Sequence, residues 1–163
     1  MAGGGSDGGK TRAETGGESG VLLPRQTSAY GSAFMLRTGI LNPSLLALLA
    51  RVRHTNMLVI ADRGFPFWPQ IETVDLSLVD GVPTVLQVLA AVRKNFVAEK
   101  VLMAEEFFTA NSAAMRRSFA AALAGWTVER TPHVDFKLHI PRAVGLIRTG
   151  DTVQYANMIL VSG

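Results

Sequence analysis

The alternation of apolar and polar residues after Met35 predicts helices and strands in turn. Asn42 suits the position that caps a helix, Pro43 suits its first turn, and the leucines that follow at helical spacing form an apolar stripe. This first helix is predicted to end near Arg53. The apolar run Met57–Ala61 predicts a short buried strand, because the glycine and proline that come after it prevent the strand from continuing.

The remaining periodic segments are also short, and they predict a single α/β domain because helices and strands alternate. Strands are predicted over Ile71–Leu76, Val101–Ala104, Thr127–Arg130, Val144–Arg148 and Tyr155–Val161, and helices over Thr84–Phe96, Ser112–Leu123 and Thr131–Leu138. Asn111 is the expected cap of the second of these helices and Gly125 its end, whereas Thr131 and Pro132 are expected to open the third. The last strand is expected to lie at an edge of the sheet or to cross to a neighbouring chain.

The first 34 residues differ from the rest of the chain. They contain nine of the 16 glycines and show no helical or strand periodicity. Such a segment cannot bury enough apolar surface to fold. We therefore predict a disordered extension over residues 1–34 and a folded domain over residues 35–163.

The composition of the chain predicts that the folded domain associates with other copies of itself. Hydrophobic residues make up 48% of the chain and charged residues 18%, against about 25% charged in typical soluble domains. A domain with so few charges is expected to cover part of its surface with copies of itself. The formal charge is only +3, without a basic run, so a nucleic-acid partner is not expected.

Several kinds of chemistry are not expected. The chain has no cysteine, and its three histidines do not occur at metal-ligand spacings, so neither a disulfide nor a metal site is predicted. No apolar run is long enough for a membrane span, and no signal peptide is apparent, so we expect a cytoplasmic protein. Acid-base or binding chemistry without a cofactor remains.

Two candidates for such chemistry flank the predicted strand Met57–Ala61. His54 follows the first helix, where unpaired carbonyl groups favour the imidazolium by about 0.3–1 kcal/mol and make it a suitable proton donor. It could also serve only to cap those carbonyls. Asp62 lies at the carboxyl end of the strand, where α/β proteins usually bind ligands, and its carboxylate could accept from hydroxyl groups or cap the turn at Gly64.

Three further candidates occur late in the chain. His133 lies near the start of a predicted helix, where the helix dipole favours a neutral imidazole, although it could be merely an exposed first-turn residue. Tyr155 and Asn157 are two residues apart in a predicted strand and would share one face. A phenol beside a carboxamide suits hydroxyl recognition, but a polar edge strand would look the same.

Other polar and aromatic residues are weaker candidates. Glu105 and Glu106 end a predicted strand, where one could hold a base or both could be solvated. Trp68 lies close to Phe65 and Phe67 and could stack on a ligand, although such clusters more often form core or oligomer contacts.

The chain also carries a set of motifs that resembles the D-ribose pyranase and L-fucose mutarotase family. The motifs, in the order that the family shows, are HTNMLVIADRGFP (54–66), GVPTVLQVL (81–89), AEE (104–106), TPHVDFK (131–137), RTG (148–150) and YANMIL (155–160). The resemblance extends from about Met35 to the C-terminus. Each motif is weak alone, but the set is specific.

The resemblance implies a three-layer α/β/α domain with a mixed central sheet and an enzyme that interconverts the cyclic forms of a free aldose without metal or nucleotide. His54 would be the proton donor, and Asp62, His133, Tyr155 and Asn157 would hold the sugar hydroxyls. The family assembles its active site between subunits of a ring, so a pentamer or decamer is expected. The C-terminal strand of one chain would then complete a neighbour's pocket.

The resemblance is closer to the ribose branch of the family. Gln87, His133 and the Tyr-Ala-Asn sequence match that branch, whereas the fucose branch more often has arginine near position 133 and Tyr-Gly-Asn. D-ribose is therefore the first expected substrate. L-fucose, another aldose, or binding of a monosaccharide without catalysis are the alternatives.

Two positions depart from the family pattern. Asn56 stands where members commonly have aspartate, and this change is expected to weaken His54 as an acid. Arg63 and Trp68 are expected to make the loop after Asp62 bulkier and to alter which sugar fits.

Overall fold

The computed structural model describes residue 1, residues 3–5 and residues 39–163 of the chain. Most of the expected extension over residues 1–34 therefore lies outside the described residues. The α-helices of the described part are α1 (Pro43–Leu49), α2 (Val85–Arg93), α3 (Glu105–Ala110), α4 (Ala113–Ala122) and α5 (His133–His139), and a 3₁₀ turn follows at Ile140–Arg142. The strands are β1 (Met57–Ala61), β2 (Glu72–Asp75), β3 (Ala98–Ala104), β4 (Thr127–Thr131), β5 (Gly145–Arg148) and β6 (Met158–Ser162).

The strands form one mixed sheet in the order β2-β5-β1-β6-β3-β4. Strand β6 runs antiparallel to its neighbours β1 and β3, whereas the other pairs are parallel. The predicted α/β domain with a mixed central sheet is confirmed. The expected edge position of the last strand is wrong, because β6 is hydrogen-bonded on both sides and leaves no free strand edge for another chain.

Helices cover both faces of this sheet. Along β1, Leu58 and Ile60 enter one hydrophobic cluster while Val59 and Ala61 enter another, as expected from side chains that alternate across a strand. The first cluster is covered by α1, α2 and α4 and the second by α5. The architecture is therefore the expected three-layer α/β/α arrangement. In the described part of the chain, none of the helices is both long and apolar enough to cross a bilayer.

Most helices and strands lie close to the positions that local sequence patterns predict. Strand β1 occupies the predicted residues, because a strand buried on both faces shows an uninterrupted apolar run. Helix α2 begins after Thr84, whose hydroxyl accepts from the Gln87 amide while the Gln87 side chain accepts from the Thr84 amide. Helix α1 starts after Asn42 as predicted but ends at Leu49 rather than near Arg53.

The segment after β3 differs from the prediction. Glu105 and Glu106 do not form a solvated strand end but begin helix α3, which the sequence analysis missed. Asn111 ends α3 instead of capping the next helix, because its carboxamide donates to the carbonyl groups of Phe107 and Gln154. The hydroxyl of Ser112 caps α4 in its place, one residue later.

Two later boundaries also differ. Thr131 does not cap α5 but is the last residue of β4, and Pro132 precedes the helix without a side-chain cap. Tyr155 and Asn157 do not lie in a strand, because β6 begins only at Met158. Tyr155 has a φ of 54°, in the left-handed region that strands exclude, so residues 153–156 form a turn ahead of β6 and Asn157 follows it.

Gly150 marks a close approach of two loops beside β5. A Cβ atom at this position would lie 2.3 Å from the Val79 carbonyl oxygen and 2.5 Å from that of Val82. The two segments are joined by hydrogen bonds, since the Gly150 amide donates to the Pro83 carbonyl at 2.9 Å. Glycine is required here because backbone atoms occupy the space of a side chain.

Gly150→Ala is therefore expected to lower the free energy of unfolding by about 1–3 kcal/mol, the usual range for overpacking. Urea denaturation at a fixed protein concentration measures the change. Gly39→Ala is the matched control, since no atom of the described residues lies within 4 Å of the added Cβ there. Equal midpoints for the two variants would contradict the steric requirement at Gly150.

Candidate active site

A pocket of about 410 Å³ opens at the carboxyl end of β1. Its volume falls within the range of about 300–1,000 Å³ that is usual for small-molecule sites. Its walls come from the loop after β1, from α5 and from the turn before β6. The lining residues are Asp62, Gly64, Phe65, Pro66, His133, Lys137, Gln154, Tyr155 and Asn157. Four of the five predicted site residues thus face one cavity.

Asp62 and Asn157 are joined by two hydrogen bonds. The Asp62 amide donates to Asn157 Oδ1 at 2.8 Å, and Asn157 Nδ2 donates to Asp62 Oδ2 at 3.0 Å. The other carboxylate oxygen accepts from the Gly64 amide at 2.9 Å, so Asp62 also caps the turn. Burial raises the pKa of Asp62 above its ordinary value, the bonds from Asn157 and Gly64 oppose that rise, and the carboxylate of Asp151 adds to it.

His133 is held by its backbone and packed by its ring. As the first residue of α5, it donates its amide to both carboxylate oxygens of Glu106, at 3.1 and 2.9 Å. Its ring meets the Tyr155 ring edge-on, with centroids 5.1 Å apart, and stacks on Phe136 at 6.1 Å. Its Nδ1 atom is buried without a hydrogen-bond partner among the described residues.

The charge state of His133 follows from this setting. Burial lowers its pKa most, the positive charge of Lys137 lowers it further, and Glu106 and Asp62 act in the opposite direction. The neutral imidazole expected from the helix start is thus favoured mainly by burial. The pKa of the Glu106 carboxyl is lowered in turn, first by its own backbone N–H and then by the amide and charge of His133.

The turn that carries Tyr155 and Asn157 is fixed at several points. The carboxylate of buried Asp151 accepts from the Val153 amide at 2.9 Å and from the Val85 amide, at the start of α2, at 2.8 Å. Asn111 donates to the Gln154 carbonyl at 2.8 Å. These bonds hold the turn over the pocket and sustain the positive φ of Tyr155, a conformation that costs energy in a bulky residue.

Arg148 supports the opposite wall. Its guanidinium donates to the carbonyl groups of Arg63, at 3.1 Å, and Phe65, at 2.7 Å. The Arg63 side chain forms an ion pair with Asp80, and Trp68 packs against the cluster on the α5 face of the sheet. Neither Arg63 nor Trp68 lines the pocket, and Arg63 lines a smaller neighbouring cavity instead.

His54 is the one predicted site residue that does not reach this pocket. It is exposed in the turn before β1, whereas Asp62 follows the last residue of that strand. The strand alone separates them by about 13 Å, at about 3.3 Å per residue. Asn56 stabilises the His54 turn by accepting from the Arg53 amide at 2.8 Å, a bond that an aspartate would also make.

The sequence analysis overlooked Lys137 and Gln154 as pocket residues. Lys137 follows His133 by four residues, a spacing that places two side chains on one helix face, so this signal was present in the sequence. Gln154 reaches the pocket through the turn before β6, which the sequence did not reveal. Within residues 39–163 and the few described N-terminal residues, no group of three or more histidine, aspartate or glutamate residues is arranged to hold a metal ion.

Comparisons with known proteins place the chain in a protein family. The model of a family described as the RbsD / FucU transport protein family matches residues 35–163. The D-ribose pyranase of Geobacillus kaustophilus (strain HTA426) is 42% identical over 129 residues, which cover 79% of this chain and 94% of that protein.

Two solved structures show how far the similarity extends. Bacillus subtilis RbsD complexed with D-ribose is 35% identical, with a TM-score of 0.73 over 79% of this chain and 98% of that one. The fucose mutarotase from Streptococcus pneumoniae in complex with L-fucose is 20% identical, with a TM-score of 0.61 over 75% of this chain and 92% of that one, and shares the fold. The predicted resemblance, closer to the ribose branch, is confirmed.

Removing the positive or the negative charge beside His133 is expected to shift the pKa of its ring in opposite directions. Lys137→Gln is expected to raise the pKa of His133, because it removes a positive charge that disfavours the imidazolium. Glu106→Gln is expected to lower the same pKa, because it removes a favourable negative charge. NMR titration of the His133 ring, assigned with His133→Gln, measures both shifts. Exposed Lys94→Gln is the control, and shifts of one sign in both variants would contradict this electrostatic account.

Proposed function

Because the chain belongs to the RbsD / FucU transport protein family, we propose that it is a cofactor-independent mutarotase that interconverts the pyranose and furanose forms of free D-ribose. The convergence of Asp62, His133, Tyr155 and Asn157 on one pocket carries this proposal. The D-ribose pyranase name of the 42% identical relative supports the choice of reaction and sugar. The enzyme is then an isomerase.

The reaction requires two proton transfers. Opening the cyclic hemiacetal breaks the bond between C1 and the ring oxygen, while one group protonates that oxygen and another removes the proton of the anomeric hydroxyl. Closure from a different hydroxyl then gives the other ring size. The sugar is neither oxidised nor reduced, so positioned acids and bases are sufficient. General acid-base catalysis typically accelerates such a reaction by about 10²- to 10⁴-fold.

Asp62 is the proposed base. Its raised pKa makes the carboxylate a stronger proton acceptor than an exposed aspartate. The bonds from Asn157 and Gly64 occupy one acceptor position on each oxygen, which leaves further lone pairs for the sugar hydroxyls. Asn157 is 2% exposed, so it orients Asp62 rigidly.

His133 and Tyr155 are proposed to hold the sugar hydroxyls. A neutral imidazole can donate and accept a hydrogen bond, and the phenol can do the same. The position of both residues in the pocket lining supports this role. Lys137 supplies a further donor at the same wall.

The proposed acid, His54, comes from a neighbouring copy of the chain. It lies at the opposite end of β1 from the pocket and is exposed, so it can enter the pocket of another chain. It is this turn, rather than the C-terminal strand, that would complete the neighbour's site, because β6 is enclosed within its own sheet.

The surface around the pocket supports such an assembly. Phe67, Val134 and Leu138 belong to the segments that form the pocket walls, and they are 72%, 69% and 70% exposed. Apolar side chains of this kind favour contact with another protein surface. A contact between two different ends of identical chains gives a ring when the rotation between neighbours closes, and the proposed ring is a pentamer or a decamer. A chain without cysteine that acts on a free sugar suits the cytoplasm.

Magnetisation-transfer NMR tests the activity and the choice of sugar. The protein is expected to accelerate pyranose exchange of D-ribose more than that of L-fucose or D-glucose, and His54→Ala is expected to lose about 10²- to 10⁴-fold of that acceleration. Faster exchange of another aldose than of D-ribose would identify that aldose as the substrate. Binding of sugars without acceleration of any of them would establish the non-catalytic alternative.

Mixing inactive chains tests the shared pocket. His54→Gln and Asp62→Asn are each expected to be inactive as homo-oligomers. Co-expressed in equal amounts, they should recover activity in about one quarter of the pockets, because a pocket needs an intact Asp62 from one chain and an intact His54 from the next. A mixture that stays inactive, although mass spectrometry shows mixed rings, would place both groups in one chain.

A further inference from the structure

A second groove, of about 570 Å³, lies between α3, α4 and the edge strand β4. Its lining residues are Phe108, Thr109, Ala113, Arg116, Arg117, Ala120 and Arg130. None of them lines the active-site pocket. Within one chain, the groove and the active-site pocket are therefore separate.

The lining of this groove contains three arginines and no acidic residue. Within the part of the chain that the structure describes, Arg116, Arg117 and Arg130 form no salt bridge, whereas Arg51, Arg63 and Arg148 each lie within 4.0 Å of a carboxylate. Three guanidinium groups at one concave surface repel one another, and an anion between them would relieve that repulsion.

Two of these arginines are already oriented. The guanidinium of Arg130 lies over the Phe108 ring, 3.8 Å from its centroid. Arg116 donates one N–H to the Phe108 carbonyl at 2.5 Å. Each guanidinium has five N–H donors, so most of them remain for a ligand. Because these contacts limit side-chain freedom, less entropy is lost when an anion binds.

We propose that this groove binds a phosphate-bearing small molecule. The planar forks of Arg116 and Arg130 match pairs of phosphate oxygens, and arginine binds such groups by two parallel hydrogen bonds. Arg117 adds a third positive charge, which favours a ligand with more than one negative charge. The small side chains of Ala113 and Ala120 leave room beside the guanidinium groups for the rest of the ligand.

Isothermal titration calorimetry, in which inorganic pyrophosphate is added to the full-length protein, tests the proposal. Saturable binding at one site per chain is expected. Arg116→Gln/Arg130→Gln is expected to weaken it by at least about tenfold, since charge-assisted bonds to phosphate are lost. Arg130→Lys, which keeps the charge but not the planar fork, should fall between this variant and the wild type.

The matched control is Arg51→Gln/Lys94→Gln, which removes the same charge from exposed positions outside the groove. It is expected to bind pyrophosphate within about twofold of the wild type, because long-range effects of exposed charges are screened by salt. Exposed Arg117→Gln, expected to weaken binding without disturbing the fold, covers the case in which the double variant unfolds.

Two results would overturn the proposal. One is no saturable binding of pyrophosphate, and the other is an equal loss in the control and groove variants, which would indicate general charge attraction only. Ribose exchange by NMR, measured on the same samples, is expected to be unchanged in the groove variants. The phosphate site and the proposed mutarotase activity can therefore fail independently.

Discussion

The antiparallel pairing of β1 with β6 is the interaction on which the site depends. Because β6 begins where β1 ends, Asn157 lies beside Asp62, and the two residues exchange hydrogen bonds of 2.8 and 3.0 Å. At the far end of the same pair, the backbones of Thr55 and Asn56 bond to Ser162 at 2.9 Å each. One strand pair thus builds the pocket at one end and anchors the turn of the candidate proton donor at the other.

Two titratable groups of the pocket, Asp62 and His133, are shifted by burial towards their neutral forms. Burial raises the pKa of Asp62 and lowers that of His133, so the cost of a buried charge acts on both groups. Such a setting suits a sugar, which has many hydroxyl groups and no charge. The arginine groove beside β4 has the opposite character, because its charged groups remain exposed and none of its lining residues is acidic. The two concave surfaces are therefore expected to select ligands of different charge.

The length of β1 bears directly on quaternary structure. The strand keeps His54 and Asp62 apart within one chain, so a site that combined the proposed acid and base would need two chains. Exposed Phe67 and Leu138 near the pocket provide apolar surface for that contact. Activity and assembly would then be inseparable, since a free monomer would contain every proposed group without a complete site.

The sequence by itself determined the elements whose signals are local. The apolar run of β1, the Asn42 and Thr84 caps and the position of Asp62 after its strand were all predictable, because they depend on near neighbours in the chain. The family motifs also identified four residues that share the pocket. Lys137 could have been added from its helical spacing to His133.

Tertiary structure decided what depends on distant contacts. Tyr155 was expected in a strand, but the bonds of Asp151 and Asn111 hold its segment in a turn that no local pattern specifies. The sequence pattern predicts the last strand at an edge or crossing to a neighbour, yet it lies between β1 and β3, because strand order follows from how whole faces pack. Only the fold could show that His54 and Asp62 lie far apart, since the seven residues between them in the sequence do not by themselves fix the distance between the two side chains.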